Sequence, residues 1–480
     1  MSIRARAFFI LMIACLMSAC VHTDDRYIRA IPTQKAQPFS EIDLNNLQPA
    51  VLNASPYEHV SFGAGPQESF DLYTVEQDER GVLFQRDQIE VIRERLKARA
   101  GGNGAIIIVY VHGWKHNATP CDDNMSCFRT ILQQVAKTEN DASAKQDYPR
   151  RVVSGIYVGW RGLAACHNLP KQLSFFSRKR VAERIGAAQT RVLLQNLRDL
   201  RKELNDTNKL TKTRLVIVGH SLGAGLIQSA AITELQQDLY SAKAQVENEK
   251  PGTPLPPLEG FGDLVVLVNP AFEAQLYETF PREVRKLQEQ NHPFSNDRPV
   301  LIIVSSTGDV PTHYLFPVVR FVGLLLQPLK LARGPRYWYR YIVTAGNYVG
   351  YRTHVASLKE TAPKETAPAA TKKAREDSRC FSPTHNRGLS SSPSDCSCSQ
   401  QTGGVDTIPT LAAAMMTPHQ EINLTRVTLK PTDRFNGEPY WVIKADTNVV
   451  KDHGDIFNPT LVSMIRELVV GALRPYDPPE

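Results

Sequence analysis

Cysteine is scarce, with 8 in 480 residues. Cys396 and Cys398 stand close together, but no second pair at zinc-ligand spacing accompanies them, which argues against a structural zinc site. An excess of one charge is also missing. The 56 Lys and Arg stand against 49 Asp and Glu, a formal +7, with no basic helix and no aromatic-basic array. Nucleic acid is therefore not an expected partner. Long apolar runs are few. The one near the start, residues 8–17, is short for a membrane span. What remains is ordinary globular composition, in a chain long enough for a large core.

The first 19 residues have the three parts of a secretory signal. Arg4 and Arg6 come first, then the apolar run, then Ser18 and Ala19 directly before Cys20. This arrangement resembles a bacterial lipoprotein signal, in which the cysteine is lipidated and becomes the new N-terminus. Met17 departs from the leucine usual at its position. The resemblance implies residues 1–19 as a signal peptide and Cys20 as a lipid anchor on a membrane face. Val21, in place of Asp, implies the outer membrane, periplasmic side. Residues 20–60 are polar and contain proline, and read as a tether. The six cysteines beyond Cys20 suit an oxidising compartment. They allow 15 pairings, and Cys121 with Cys127 is one local loop among them.

From residue 61 a regular alternation sets in. Short β-branched runs at 105–111, 152–158, 214–218, 263–268 and 300–304 alternate with helical periodicities. The helices are expected at 86–98, around 128–135, across 181–204 as one long element, at 222–235 and at 273–290. A sixth strand, 440–445, precedes a last helix at 458–472. Strands apolar on both faces, separated by amphipathic helices, predict an α/β fold with a mostly parallel sheet. The two parts of this core are 61–358 and 408–480. Between them lies a low-complexity insertion, 359–407, too poor in apolar residues to order itself. The apolar stretch 314–331 reads equally as a buried helix pair or a lid. Residues 333–341, RGPRYWYRY, read as an edge strand with solvated arginines, or as a membrane-interface patch.

The motif that carries chemistry is Gly219-His220-Ser221-Leu222-Gly223, directly after the run RLVIV and directly before a helical pattern. Strand, G-x-S-x-G and helix together are the setting of a nucleophile elbow. Such a turn holds its serine in strained backbone geometry, and the glycines remove Cβ atoms that would clash. The hydroxyl is expected to be exposed at the C-terminal edge of the sheet. A relic elbow without catalysis is the bland alternative. Upstream, Val111-His112-Gly113-Trp114-Lys115-His116-Asn117 follows the first core strand, with His112 read as a turn stabiliser and Asn117 as a loop tether. Trp160, at the end of the second strand, fits a pocket rim or ordinary core.

On these motifs the chain resembles the α/β-hydrolase superfamily, and in particular its lipase- and esterase-like members. The resemblance covers about 104–312 and resumes near 440. It implies the chain order serine, acid, histidine. Asp309, a few residues past the 300–304 strand, is the candidate acid, against a turn-cap reading. His453, between the last strand and last helix, is the candidate base. His354 is its serious rival, and His313, His385 and His419 are weaker ones. The backbone N–H groups of Trp114 and Leu222 are the implied oxyanion donors. Such chemistry needs no metal and no cofactor. The expected function is ester hydrolysis on an acyl ester or lipid. The alternatives are a lipase or phospholipase on membrane lipids, a peptidase or thioesterase with the same machinery, and a non-catalytic envelope lipoprotein using a hydrolase-like scaffold.

Overall fold

A computed structural model describes residues 41–43, 56–63, 68–119, 122–162, 174–207, 211–325, 335–359 and 414–472. Residues 1–20 lie outside these, so the signal and Cys20 have no structural account. The 359–407 insertion lies outside them except for Lys359, as do Cys121, Cys166, Cys380, Cys396 and Cys398. Cys127 is buried on a helix.

The strands are β1 (Glu41–Asp43), β2 (Tyr57–Ser61), β3 (Ser69–Glu76), β4 (Ala105–Val111), β5 (Val152–Gly159), β6 (Arg214–His220), β7 (Leu264–Val268), β8 (Leu301–Ser306), β9 (His354–Leu358), β10 (Ile422–Asn423), β11 (Val427–Pro431) and β12 (Tyr440–Ala445). They form one sheet in the order β1-β2-β3-β5-β4-β6-β7-β8-β12-β9-β11-β10. Every pairing from β3 through β9 is parallel. Antiparallel pairings occur only outside that run, at β2–β3, β9–β11 and β11–β10. The α/β class with a mostly parallel central sheet is therefore what this chain forms.

The two-residue period of a strand divides β4 between two cores. Ile107, Val109 and Val111 face one apolar cluster, while Ile106, Ile108 and Tyr110 face the other. Helices Gln88–Ala100, Arg191–Thr207 and Thr279–Glu289 cover the first face, through Leu96, Leu200 and Phe280 among others. Helices Asp123–Gln146 and Pro459–Ala472 cover the second, through Phe128, Leu132, Leu461 and Met464. Truncating a buried leucine such as Leu132 or Leu200 to alanine should cost about 2–5 kcal/mol. No described helix is long and apolar enough to cross a membrane.

Several expectations need correction. Part of the presumed tether, Glu41–Asp43 and Tyr57–Ser61, is strand and pairs into the sheet. The single helix expected across 181–204 is two, Ser174–Ile185 and Arg191–Thr207, separated by a π turn at Gly186–Thr190. Ala188 breaks the helical geometry at φ −104°, ψ −125°. Tertiary contacts fix the break: Gln189 N–H donates to Gly81 O, and Thr190 Oγ1 bonds the Gln77 amide. The edge strand expected at 333–341 is a helix, Pro335–Ile342. Arg340 pairs with Glu278 and donates to the Tyr348 hydroxyl. Of the stretch 314–331, residues up to 325 are described, as the end of a π turn and helix Phe316–Leu325.

Candidate active site

β6 delivers Ser221 to the start of helix Leu222–Val246 through a sharp turn. Ser221 has φ 54° and ψ −118°, a conformation that costs a non-glycine residue on the order of 1–3 kcal/mol. Backbone bonds from two sides hold it there. Ser221 N–H donates to Val268 O at 3.0 Å, and Ala271 N–H donates to Ser221 O at 3.0 Å. The flanking glycines are sterically required. A Cβ on Gly223 would stand 2.3 Å from Val111 O and 2.4 Å from His112 O, and one on Gly219 would stand 2.5 Å from Ile227 Cδ1. The helix can thus start hard against the end of β4 only because residue 223 has no side chain.

The structure brings Ser221, His453 and Asp309 together from three strand ends. Ser221 Oγ lies 2.7 Å from His453 Nε2. His453 Nδ1 lies 2.9 Å from Asp309 Oδ1. A carboxylate only accepts, so Nδ1–H is the donor there, and Nε2 is left to accept from the serine hydroxyl. Asp309 is fully buried in the turn after β8 and accepts from Thr312 twice, backbone N–H at 2.9 Å and hydroxyl at 2.5 Å. Burial pushes its carboxyl toward protonation. The adjoining His453 and the two Thr312 bonds outweigh that and hold it below the ordinary carboxylate range. One expectation fails: Ser221 is not exposed but retains only 1% of its surface. The turn at Gly113 closes over it, so near that a Cβ at 113 would stand 3.0 Å from Ser221 Cβ. The His453 side chain, at 17% exposure, is the more open member.

His453 sits in the loop after β12. Asp452 Oδ1 accepts Gly454 N–H, and Asp455 Oδ2 accepts Lys451 N–H. Asn458 then caps the last helix by accepting Leu461 N–H. The loop is fastened to the sheet through the His453 carbonyl. His220 Nε2 meets it at 2.9 Å and Asn269 Nδ2 at 3.1 Å. Asn269, at φ 45°, also accepts Ser306 N–H, so one amide ties the ends of β7 and β8 to the histidine loop. Burial, reinforced by neighbouring imidazoles, keeps His220 well below the ordinary histidine range. It is neutral and donates from Nε2. Neither His220 nor Asn269 stood out in the sequence, although an imidazole inside the elbow motif was the available signal.

The turn after β4 is equally constrained. His112 is buried and neutral, drawn down to about 4 by burial. Its Nδ1 bonds Gly113 O, its Nε2 accepts Trp160 N–H, and its ring stacks on Trp160 at an interplanar angle of 5°. Trp160 is thus core, and His112 stabilises the turn. Asn117 holds the loop by accepting Thr119 N–H. Lys115, at φ 74°, donates its N–H to Gly162 O, and Gly162 N–H returns to His116 O. Trp114 lies between these anchors and packs edge-on against Phe175, with ring centroids 5.5 Å apart. Leu222 is the first helical residue after the serine, where a backbone N–H has no acceptor within the helix.

The rival histidines lie elsewhere. His354 begins β9, fully buried between Phe435 and Trp441. Its Nε2 has no partner, and burial takes its imidazole down to about 3. His313 and His419 are exposed, and His385 is outside the described residues. Among the described residues, no cluster of three or more His, Cys, Asp or Glu side chains is arranged to hold a metal ion. The chain matches no protein-family model, and comparison with curated proteins finds no relative.

Proposed function

We propose that this chain is a serine hydrolase of the α/β-hydrolase fold that cleaves carboxylic esters. The observation that carries the reading is the unbroken line from Ser221 Oγ through both nitrogens of His453 to Asp309, at 2.7 and 2.9 Å. In this reading the Ser221 oxygen attacks the acyl carbonyl while His453 Nε2 takes the hydroxyl proton. Asp309 holds the imidazole in the tautomer that can accept, and stabilises the imidazolium once formed. The carbonyl oxygen gains negative charge, which in this reading the Trp114 and Leu222 backbone N–H groups meet. His453 passes its proton to the leaving alcohol. Water then repeats the sequence on the acyl-enzyme, and Ser221 is released. The strained elbow supports this reading, because such geometry persists where function requires it.

A lipid substrate is the second reading, and a specific observation favours it. Val310, Tyr314, Val318 and Phe321 form an exposed apolar stripe that begins at the residue after Asp309. With a lipid anchor at Cys20, that stripe would meet a membrane beside the site. The test compares short-chain nitrophenyl esters with phospholipid vesicles, using wild type and Ser221→Ala. Ester turnover that Ser221→Ala abolishes supports the hydrolase reading, and preference for vesicles supports the lipid form. Turnover that survives Ser221→Ala refutes both.

A further inference from the structure

Linked to Asp309 through Asn347 and Thr312 is a lysine that the chemistry above does not use. Lys444 belongs to β12 and is 6% exposed. Its ammonium donates to Ser306 O at 2.8 Å and to Asn347 Oδ1 at 2.6 Å. Asn347, also buried, donates from Nδ2 to Thr312 Oγ1 at 3.0 Å and to Thr344 Oγ1 at 2.9 Å. Thr312 Oγ1 in turn lies 2.5 Å from Asp309 Oδ2.

The direction of this chain is fixed at both ends. An ammonium has no acceptor, so the Asn347 group facing Lys444 must be its carbonyl oxygen, and its NH₂ must face Thr312. A carboxylate has no donor, so the Thr312 hydroxyl hydrogen must point to Asp309. Each link of the line Lys444–Asn347–Thr312 therefore donates toward Asp309, and a buried cation polarises the line from its far end. Burial draws Lys444 down to about 8, while the Asp309 charge acts in the opposite sense and Arg352 adds to the lowering. The charged or titratable groups acting on this region are Asp309 from the turn after β8, Arg352 from the turn before β9, and His453 across Asp309. The bland reading is a lysine that merely satisfies loose carbonyls in the core.

We propose that Lys444, Asn347 and Thr312 form a positioning relay that holds Asp309 ionised and aimed at His453. The inference rests on the triad reading above. The relay occupies one Asp309 oxygen and biases the carboxylate toward its charged form, so that the other oxygen stays committed to His453 Nδ1–H.

The test uses the full chain with four variants: Lys444→Met, Thr312→Val, Thr312→Ser and, as a control, Ser221→Ala. Two quantities are followed from pH 5 to 9. One is the rate of fluorophosphonate labelling, and the other is the low-field proton resonance of the His453–Asp309 hydrogen bond. Thr312→Val, which deletes the hydroxyl donor at nearly constant volume, should slow labelling by about tenfold and displace the resonance. Thr312→Ser restores the donor and should stay within about twofold of wild type. Lys444→Met should move the acid limb of the labelling profile upward by about half a pH unit, because without the cation the negative charge of Asp309 is less offset and the His453 imidazolium beside it gives up its proton less readily. Folded Thr312→Val and Lys444→Met proteins with the parent rate, profile and resonance overturn the proposal. So does Thr312→Ser if it is as slow as Thr312→Val. If Lys444→Met does not fold, the threonine pair decides alone. Wild-type protein that never labels refutes the hydrolase reading instead, and the resonance still reports on the relay.

Discussion

Two histidines flank β12, and their surroundings are opposite. His354 lies alongside Ile443, inside the sheet, with aromatic rings on it and one nitrogen bonded only to the neighbouring Thr353 hydroxyl. His453 emerges after the strand has ended, with one nitrogen on a carboxylate and the other on a hydroxyl. Chain order allowed either residue to be the base. The difference teaches that a histidine becomes useful for proton transfer when the fold leaves both nitrogens engaged with groups that exchange protons. Full burial makes the other one a neutral core residue.

The contrast is open to direct attack. His453→Ala should lower the rate of Ser221 labelling by roughly 10³–10⁴-fold, and Asp309→Asn by a comparable factor, while His354→Ala leaves it unchanged in folded protein. A rate that follows His354 and ignores His453 would reverse the comparison. A smaller effect is expected at Asn269, which grips the His453 carbonyl. Asn269→Ala should lower kcat by about 10–100-fold with little change in KM, since the loop shifts but the proton acceptor remains. Equal kinetics in wild type and Asn269→Ala would show that His220 alone suffices to hold the loop.

Stability against pH supplies the gentlest test. His354 and His112 titrate in the folded state near 3 and 4, and His220 is also depressed, against about 6.5 when unfolded. Below 6.5 the unfolded chain takes up protons that the folded chain refuses. Their contribution is thus full above 6.5 and is lost as pH falls toward 4 and 3. Thermal unfolding should show a falling melting temperature through that window. His354→Leu should be within about 1 kcal/mol of wild type at pH 7 and should flatten part of the slope, because it removes a buried nitrogen that has no partner. An unchanged slope in His354→Leu would contradict the account of that residue.

How much of this was legible follows the physics of each element. The central strands were readable because β-branched residues buried on both faces leave continuous runs, as in β4 and β7. β3 was not, because its buried polar residues interrupt the run. Asp71, for one, is 1% exposed and paired with His59 and Arg99. β9 to β11 were too short and too partly buried to show a period. The break at Ala188 carries no proline and depends on contacts with Gly81 and Gln77, which only folding brings close. At the site, Ser221 was legible from a local motif, and the Asp309 and His453 that meet it from their order after strands. The supporting residues were not. His220, Asn269, Asn347 and Lys444 act through partners far away in sequence, and Thr312, though close to Asp309 in the chain, is tied to Asn347 only by folding.

The central claim is that the hydroxyl of Ser221, clamped in its strained turn, is a nucleophile. The most direct measurement is the intact mass of the protein after treatment with a fluorophosphonate, followed by peptide mapping. The account predicts one adduct per chain, on the peptide that carries Ser221, and none on Ser221→Ala. No adduct on folded wild-type protein, or an adduct on another residue, would contradict it.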